Sequence, residues 1–244
     1  MGADKFVLAL AAAIMSAGIG AAKATQTIDY GAITFISSDG TLTASDPNAW
    51  GSTTYQFSAG QIALTDSTAT YVRGLVWCID ITTPVAQSGT YVGSTSAPAN
   101  LSSSQWSQIA ALADYGNQLL PAGLELYQLN GAGFPGATVN LTPQLQQQSE
   151  AIQLAIWQVE YGVNNISFTG VSNAVDSFVT TYYDQATSGQ LSGIAGAQLL
   201  TQAGSQTLVT SVPELSTWAM GLLGLAGLGL LHYRRKSSLS VHAA

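Results

Sequence analysis

Along residues 25–80 short apolar stretches alternate with polar ones, rich in Thr, Tyr, Val, Ile and Phe. They are broken at Ser38-Asp39-Gly40, Asp46-Pro47-Asn48 and Ala59-Gly60. This pattern predicts a succession of short strands joined by turns. The strongest strand signal covers 69–81, and 90–92 adds a shorter one. The period then changes. Ser102-Ser103-Ser104-Gln105 has the form of a helix start, followed by Trp106, Ile109, Ala110, Ala113 and Asn117 at helical spacing. A stop is expected at Gly116 or near Gly123. Residues 122–141 are Gly-rich and expected to be loop, with 124–129 as a candidate strand.

Thr142-Pro143 opens a second helix, with Thr142 as N-cap and Pro143 in the first position, where its missing N–H costs nothing. Leu145, Gln148, Ile152, Ala155, Ile156 and Val159 form its apolar stripe, and Gly162 closes it. A third helix is expected over 171–185, with Val175, Phe178, Val179 and Tyr182 inward. A weaker fourth is expected over 190–201, and a closing strand at 207–209. No fixed-period repeat is present. Strands first and helices later predict an α+β body in one domain, an N-terminal antiparallel β-sandwich or barrel packed against a helical part.

The two ends follow other rules. Lys5 precedes an uncharged stretch over 6–22, and Ala22-Lys23-Ala24 follows. A basic start, an apolar core and a small-x-small site predict a signal peptide over 1–24, cleaved after Ala24. At the other end residues 215–233 are uncharged and precede Arg234-Arg235-Lys236. As a helix at ~1.5 Å per residue this stretch just spans a bilayer core. The basic trio keeps the tail, 237–244, cytoplasmic. The body is then 25–211 and the C-terminal segment 212–236.

Charge narrows the functions open to the body. Over 25–211 Arg73 is the single basic residue against eight Asp and three Glu, a net −10, which repels phosphate backbones and excludes nucleic-acid binding. His232 and His242 both lie beyond it, and Cys78 is its one cysteine. That leaves the body without a histidine-dependent triad, an ordinary zinc site or an internal disulfide. Glu150 and Glu160 are too dispersed to argue a hydrolase.

Val212-Pro213-Glu214, then Ser216-Thr217-Trp218-Ala219, the apolar run and Arg234-Arg235-Lys236 resemble the PEP-CTERM sorting signal of Gram-negative bacteria. Leu215 stands where a second proline is usual. The resemblance implies an exosortase as partner, membrane anchoring through the C-terminal helix before sorting, and then the cell surface or extracellular matrix as destination.

A lone cysteine in an exported chain is either a small buried hydrophobe, a partner for intermolecular pairing, or a reactive thiol. Trp77-Cys78 lies in the strand 75–80, and the second helix carries Ile152-Gln153-Leu154-Ala155-Ile156-Trp157. This ordered pair resembles the thioester domain of bacterial surface adhesins, in which an aromatic-Cys strand meets an apolar-Gln-x-x-apolar-Trp helix. Ile152 stands where that family often has Thr. The resemblance implies an internal thioester between Cys78 and Gln153, with Trp77, Trp157 and Tyr161 excluding water around it. It also implies single acylation of an amine-bearing surface target. A group consumed in reacting is not a turnover enzyme, and the chemistry uses no cofactor. The body contains no lysine to consume the acyl group itself, although low charge alone also accounts for that. The alternatives are ordinary: Trp77, Trp157 and Tyr161 as core aromatics, Gln153 as one of many glutamines on its helix, and Asp80 as a solvated strand-end acid. Together they describe a passive exported matrix or coat protein.

Overall fold

The computed structural model describes residues 27–36, 41–65, 72–119, 142–191 and 197–211. The predicted signal peptide, the 124–129 strand, the 215–233 helix and the sorting residues Val212, Pro213, Glu214, Arg234 and Arg235 all lie outside these residues. Among the described residues no helix is long and apolar enough to cross a membrane.

Among the described residues ten strands and three helices follow one another: β1 Thr27–Tyr30, β2 Ala32–Ile36, β3 Leu42–Ser45, β4 Thr54–Phe57, β5 Gln61–Thr65, β6 Val72–Cys78, β7 Gly89–Ser94, α1 Ser103–Leu119, α2 Pro143–Tyr161, β8 Ser167–Thr169, α3 Asn173–Thr187, β9 Ala197–Thr201 and β10 Leu208–Ser211. The class is α+β. Seven strands form an antiparallel sheet in the order β1-β7-β9-β10-β6-β5-β2, and β4-β3-β8 form a second, smaller one. The outer strands of the large sheet, β1 and β2, are successive stretches of chain separated only by Gly31, whose N–H donates to the Thr65 carbonyl at 2.7 Å. A sheet whose two edges are joined by a single residue must curl.

Local chemistry sets the helix limits. Ser102 and Gln105 form a reciprocal capping box before α1, each side chain bonded to the other's backbone N–H. Thr142 Oγ1 accepts from Leu145 N at 3.3 Å before α2, and Gly162, at φ 92°, ends it by donating to the Gln158 carbonyl. Ser172 caps α3, so that helix begins two residues later than the 171–185 expectation. Gly116 does not stop α1. It is the gap that admits Trp77: a Cβ there would overlap the indole ring.

The expected fourth helix is corrected. Residues 197–201 are β9, hydrogen-bonded to β7 on one side and β10 on the other. Two waiting partners outweigh a weak helical propensity. The expected closing strand is β10, whose Leu208 and Val209 pair with Cys78 and Trp77. The middle of α2, from Ser149 to Trp157, is buried all round, because the helix packs against α1, α3 and the sheet at once.

Candidate functional site

The site grows from the place where β5 and β6 part. Their pairing ends at Ile62 and Val76, two residues before Cys78. On its other side β6 continues along β10, where Ile79 donates to the Thr207 carbonyl at 3.0 Å. Both backbone groups of Cys78 on the β5 side therefore lose their strand partner, at a residue that is only 3% exposed. Helix α2 supplies the substitutes. Ser149 Oγ accepts from Gln61 N at 2.9 Å, where β5 begins. One turn later, Gln153 Oε1 accepts from Cys78 N at 2.8 Å, and its Nε2 donates to the Cys78 carbonyl at 2.8 Å. A carboxamide carries the same donor and acceptor as a peptide group, so Gln153 completes the sheet where β5 has left it. Another turn on stands Trp157. Ser149, Gln153 and Trp157 thus form one line along α2 at i, i+4 spacing, facing the split.

Cys78 and Gln153 are brought together from 75 residues apart. Gln153 is wholly buried and Cys78 only 3% exposed. The sulfur hangs from the Cα that lies between the two peptide groups gripping the carboxamide. Burial, and after it the Asp80 and Glu160 carboxylates, push the Cys78 thiol well above its usual range. Free Cys78 is therefore a protonated thiol at neutral pH and slow towards alkylating reagents in the folded chain.

A cleft of about 400 Å³ opens onto Cys78, with Ile33, Tyr55, Phe57, Gln206 and Trp157 in its walls and no charged side chain among its lining residues. Tyr30 and Tyr91 are stacked with ring centroids 5.4 Å apart. Tyr30 Oη donates to the Ala86 carbonyl and Tyr91 Oη to the Gln206 carbonyl, which secures the loop segment forming one wall.

The three predicted shielding aromatics take different places. Trp157 is 1% exposed and packs edge-to-face on Phe57 at 4.8 Å in the wall of the Cys78 cleft. Its indole N–H has no hydrogen-bond partner among the described residues. Tyr161 is one turn further along, its Oη accepting from Ile81 N at 3.4 Å beside the chain leaving β6. Trp77 neighbours Cys78 in sequence and so points to the opposite face of β6. There it lies against Gly116 of α1 and donates from Nε1 to Asn117 Oδ1 at 3.0 Å. Asp80 is engaged locally, accepting from Thr82 N and Thr82 Oγ1.

Two residues beyond the sequence expectations complete the frame. Asn117 accepts from both Trp77 and Gln61 Nε2 and donates to Ser211 Oγ at 2.8 Å, tying α1 to β5, β6 and β10. Its sequence signal was only a place in the α1 stripe. Ser149 was hidden among the polar residues at the start of α2, and the spacing Ser149-Gln153-Trp157 is what could have revealed it. Among the described residues there is no cluster of three or more His, Cys, Asp or Glu able to hold a metal ion.

Glu160 lines a second cleft with Asp80, Asn100 and Tyr161. Burial, then the Asp80 carboxylate, push its carboxyl up to about 9, against a hydrogen bond from Asn100. Glu160 is therefore protonated at neutral pH in the folded chain and ionised in the unfolded one. The folded state binds the extra proton between ~4.3 and the raised value, so stability is full below that window and falls as pH rises through it. Glu160→Gln is expected to flatten this dependence and, at about pH 8, to raise stability by on the order of 2 kcal/mol, with little change at about pH 4. Urea unfolding of both proteins at the two pH values measures it.

No protein family, curated protein or solved structure matches the chain.

Proposed function

We propose that the chain is an exported surface attachment protein whose body forms a Cys78–Gln153 thioester and acylates an amine on its target once. The observation that carries the reading is the clamp of two 2.8 Å hydrogen bonds between the Gln153 carboxamide and the Cys78 backbone. An ordinary amide resists thiols, and its reaction needs placement worth roughly 7–11 kcal/mol. The clamp holds the carboxamide against the main chain of Cys78, which supports such a placement. In thioester formation the Cys78 sulfur attacks Gln153 Cδ, and negative charge gathers on Oε1. The Cys78 N–H already points at that oxygen and acts as an oxyanion donor. The thiol proton passes to Nε2, the C–N bond breaks, ammonia leaves and a C–S bond remains. Nothing is oxidised or reduced. Burial of Cys78 and Gln153, beside a cleft with no charged side chain among its lining residues, then limits the access of water to the product. In the same reading the N-terminal signal peptide exports the chain, and the C-terminal segment anchors it until an exosortase processes it.

Intact mass of the full exported chain tests this. The thioester form is expected one ammonia lighter than the sequence. Methylamine should then install a methylamide at Gln153, found by peptide mapping, and free the Cys78 thiol. A full-mass chain whose Cys78 is alkylated completely in denaturant would rule the thioester out. Alkylation must be read in denaturant, because the buried thiol is slow in the native state on either reading.

A second reading has its own support. Gln153 satisfies the loose end of β6 with no chemistry at all, as a passive exported matrix or coat protein would need.

A further inference from the structure

Two polar side chains in the lining of the Cys78 cleft are almost wholly buried and lack a partner. Gln206 is 5% exposed, and its main chain is engaged on both sides: N donates to the Pro84 carbonyl and the carbonyl accepts from Tyr91 Oη, each at 3.1 Å. Its carboxamide makes no hydrogen bond among the described residues. The Trp157 indole N–H, in the same lining, makes none either. Buried polar groups are nearly always satisfied, so a carboxamide left open at a cleft wall marks a place that a ligand completes. Nearer solvent the lining adds Gln56, Ser58, Thr83 and Gln87, whose side chains also make no hydrogen bond among the described residues. All four are neutral, and each both donates and accepts. Phe35, also in the lining, is 37% exposed, the one aromatic among the exposed large hydrophobics of the described residues.

We propose that this cleft is a binding site for a neutral saccharide. The inference is separate from the thioester and does not rest on it. A volume of about 400 Å³ lies within the range of small-molecule sites, roughly 300–1,000 Å³. No charged side chain lines the cleft, so nothing there pairs with a carboxylate, a phosphate or an ammonium group. The net −10 of the body opposes anions further. A purely apolar ligand would seal the Gln206 carboxamide away from any partner, which is costly. A sugar ring meets both demands. Its hydroxyls donate and accept, so either end of the Gln206 amide gains a partner, as do the carboxamides and hydroxyls nearer solvent. Its C–H face packs against the negative face of an aromatic ring, which the exposed Phe35 offers, with Tyr55 and Phe57 extending the apolar wall.

Calorimetric titration of the full chain with maltose, cellobiose and lactose tests this, with digalacturonic acid as the anionic comparison. At least one neutral disaccharide is expected to bind, and digalacturonic acid to bind at least roughly tenfold more weakly. Phe35→Ala and Gln206→Leu should each weaken the bound sugar by roughly tenfold, the ratio for one hydrogen bond or contact of that size. Gln206→Leu keeps the side-chain volume and both main-chain bonds and removes an unpartnered buried amide. The unliganded variant should therefore unfold at the same or a higher urea concentration than the parent. Weaker binding by a chain that folds as well is what a merely structural role would not give. Failure of all three sugars to bind, equal affinity for digalacturonic acid, or binding unchanged in either variant overturns the proposal. None of these outcomes depends on intact mass, so the saccharide site and the thioester fail separately.

Discussion

Gln153→Ala is expected to lower folding stability by about 2–5 kcal/mol, in addition to abolishing any mass deficit. The side chain it removes is wholly buried, and two partners go with it: the Cys78 N–H and the Cys78 carbonyl, both beyond the reach of β5. Each buried group left without a partner costs roughly 1–3 kcal/mol, and the cavity adds to that. Cys78→Ala makes the informative comparison. It also abolishes the deficit but leaves the carboxamide clamp intact, because both clamp bonds go to backbone atoms. Its cost should be only about 1 kcal/mol, the loss of one small buried group. Urea midpoints at constant m-value read the difference. Equal destabilisation by the two substitutions would mean that the amide does not hold the strand end, and the geometric basis of the thioester reading would go with it.

Trp77→Ala is expected to cost about 3–5 kcal/mol, the range for deleting a large aromatic from a close-packed core. Trp77 is wholly buried, fills the hollow left by Gly116, and is one of two donors to Asn117 Oδ1. Its loss opens a cavity between β6 and α1 and loosens the link from Asn117 to Ser211 on β10. Because Trp77 faces away from the Cys78 side chain, the proposed ammonia loss and amine uptake should survive wherever the variant remains folded. Trp157→Ala should do the reverse in proportion: its ring walls the cleft, so hydrolysis of the proposed thioester should accelerate by more than the stability loss explains. Midpoints in urea and the rate at which the deficit disappears in buffer separate the two tryptophans. A faster loss in Trp77→Ala than in Trp157→Ala would reverse their assigned positions.

Much of the framework was legible in the chain. Thr142, Pro143 and Gly162 bound α2 where expected, and Ser102 with Gln105 opens α1, because a cap is made within three or four residues of the groups it satisfies. The strands β6 and β7 and the closing β10 lie within or next to the stretches expected for them. The failures were of another kind. Residues 197–201 carry little local signal and became a strand only because β7 and β10 leave a gap between them. Gly116 reads as a helix stop until the Trp77 ring that occupies its missing Cβ is seen. The short strand β8, on the far side of β3 from β4, gave no sequence signal at all.

The sequence by itself determined an acidic, lysine-free body, a cysteine on a strand, a glutamine on a later helix and the ends of that helix. Only the tertiary structure decided that β5 stops short of Cys78 and that α2 crosses the split with Ser149, Gln153 and Trp157 in line. It also decided that Trp77 turns to α1 and that Glu160 keeps its proton. The division has a physical cause. Caps and periodicity are satisfied by neighbours along the chain, whereas an unpaired strand end takes whichever buried donor or acceptor the packing brings to it. Here that partner came from a residue 75 positions away.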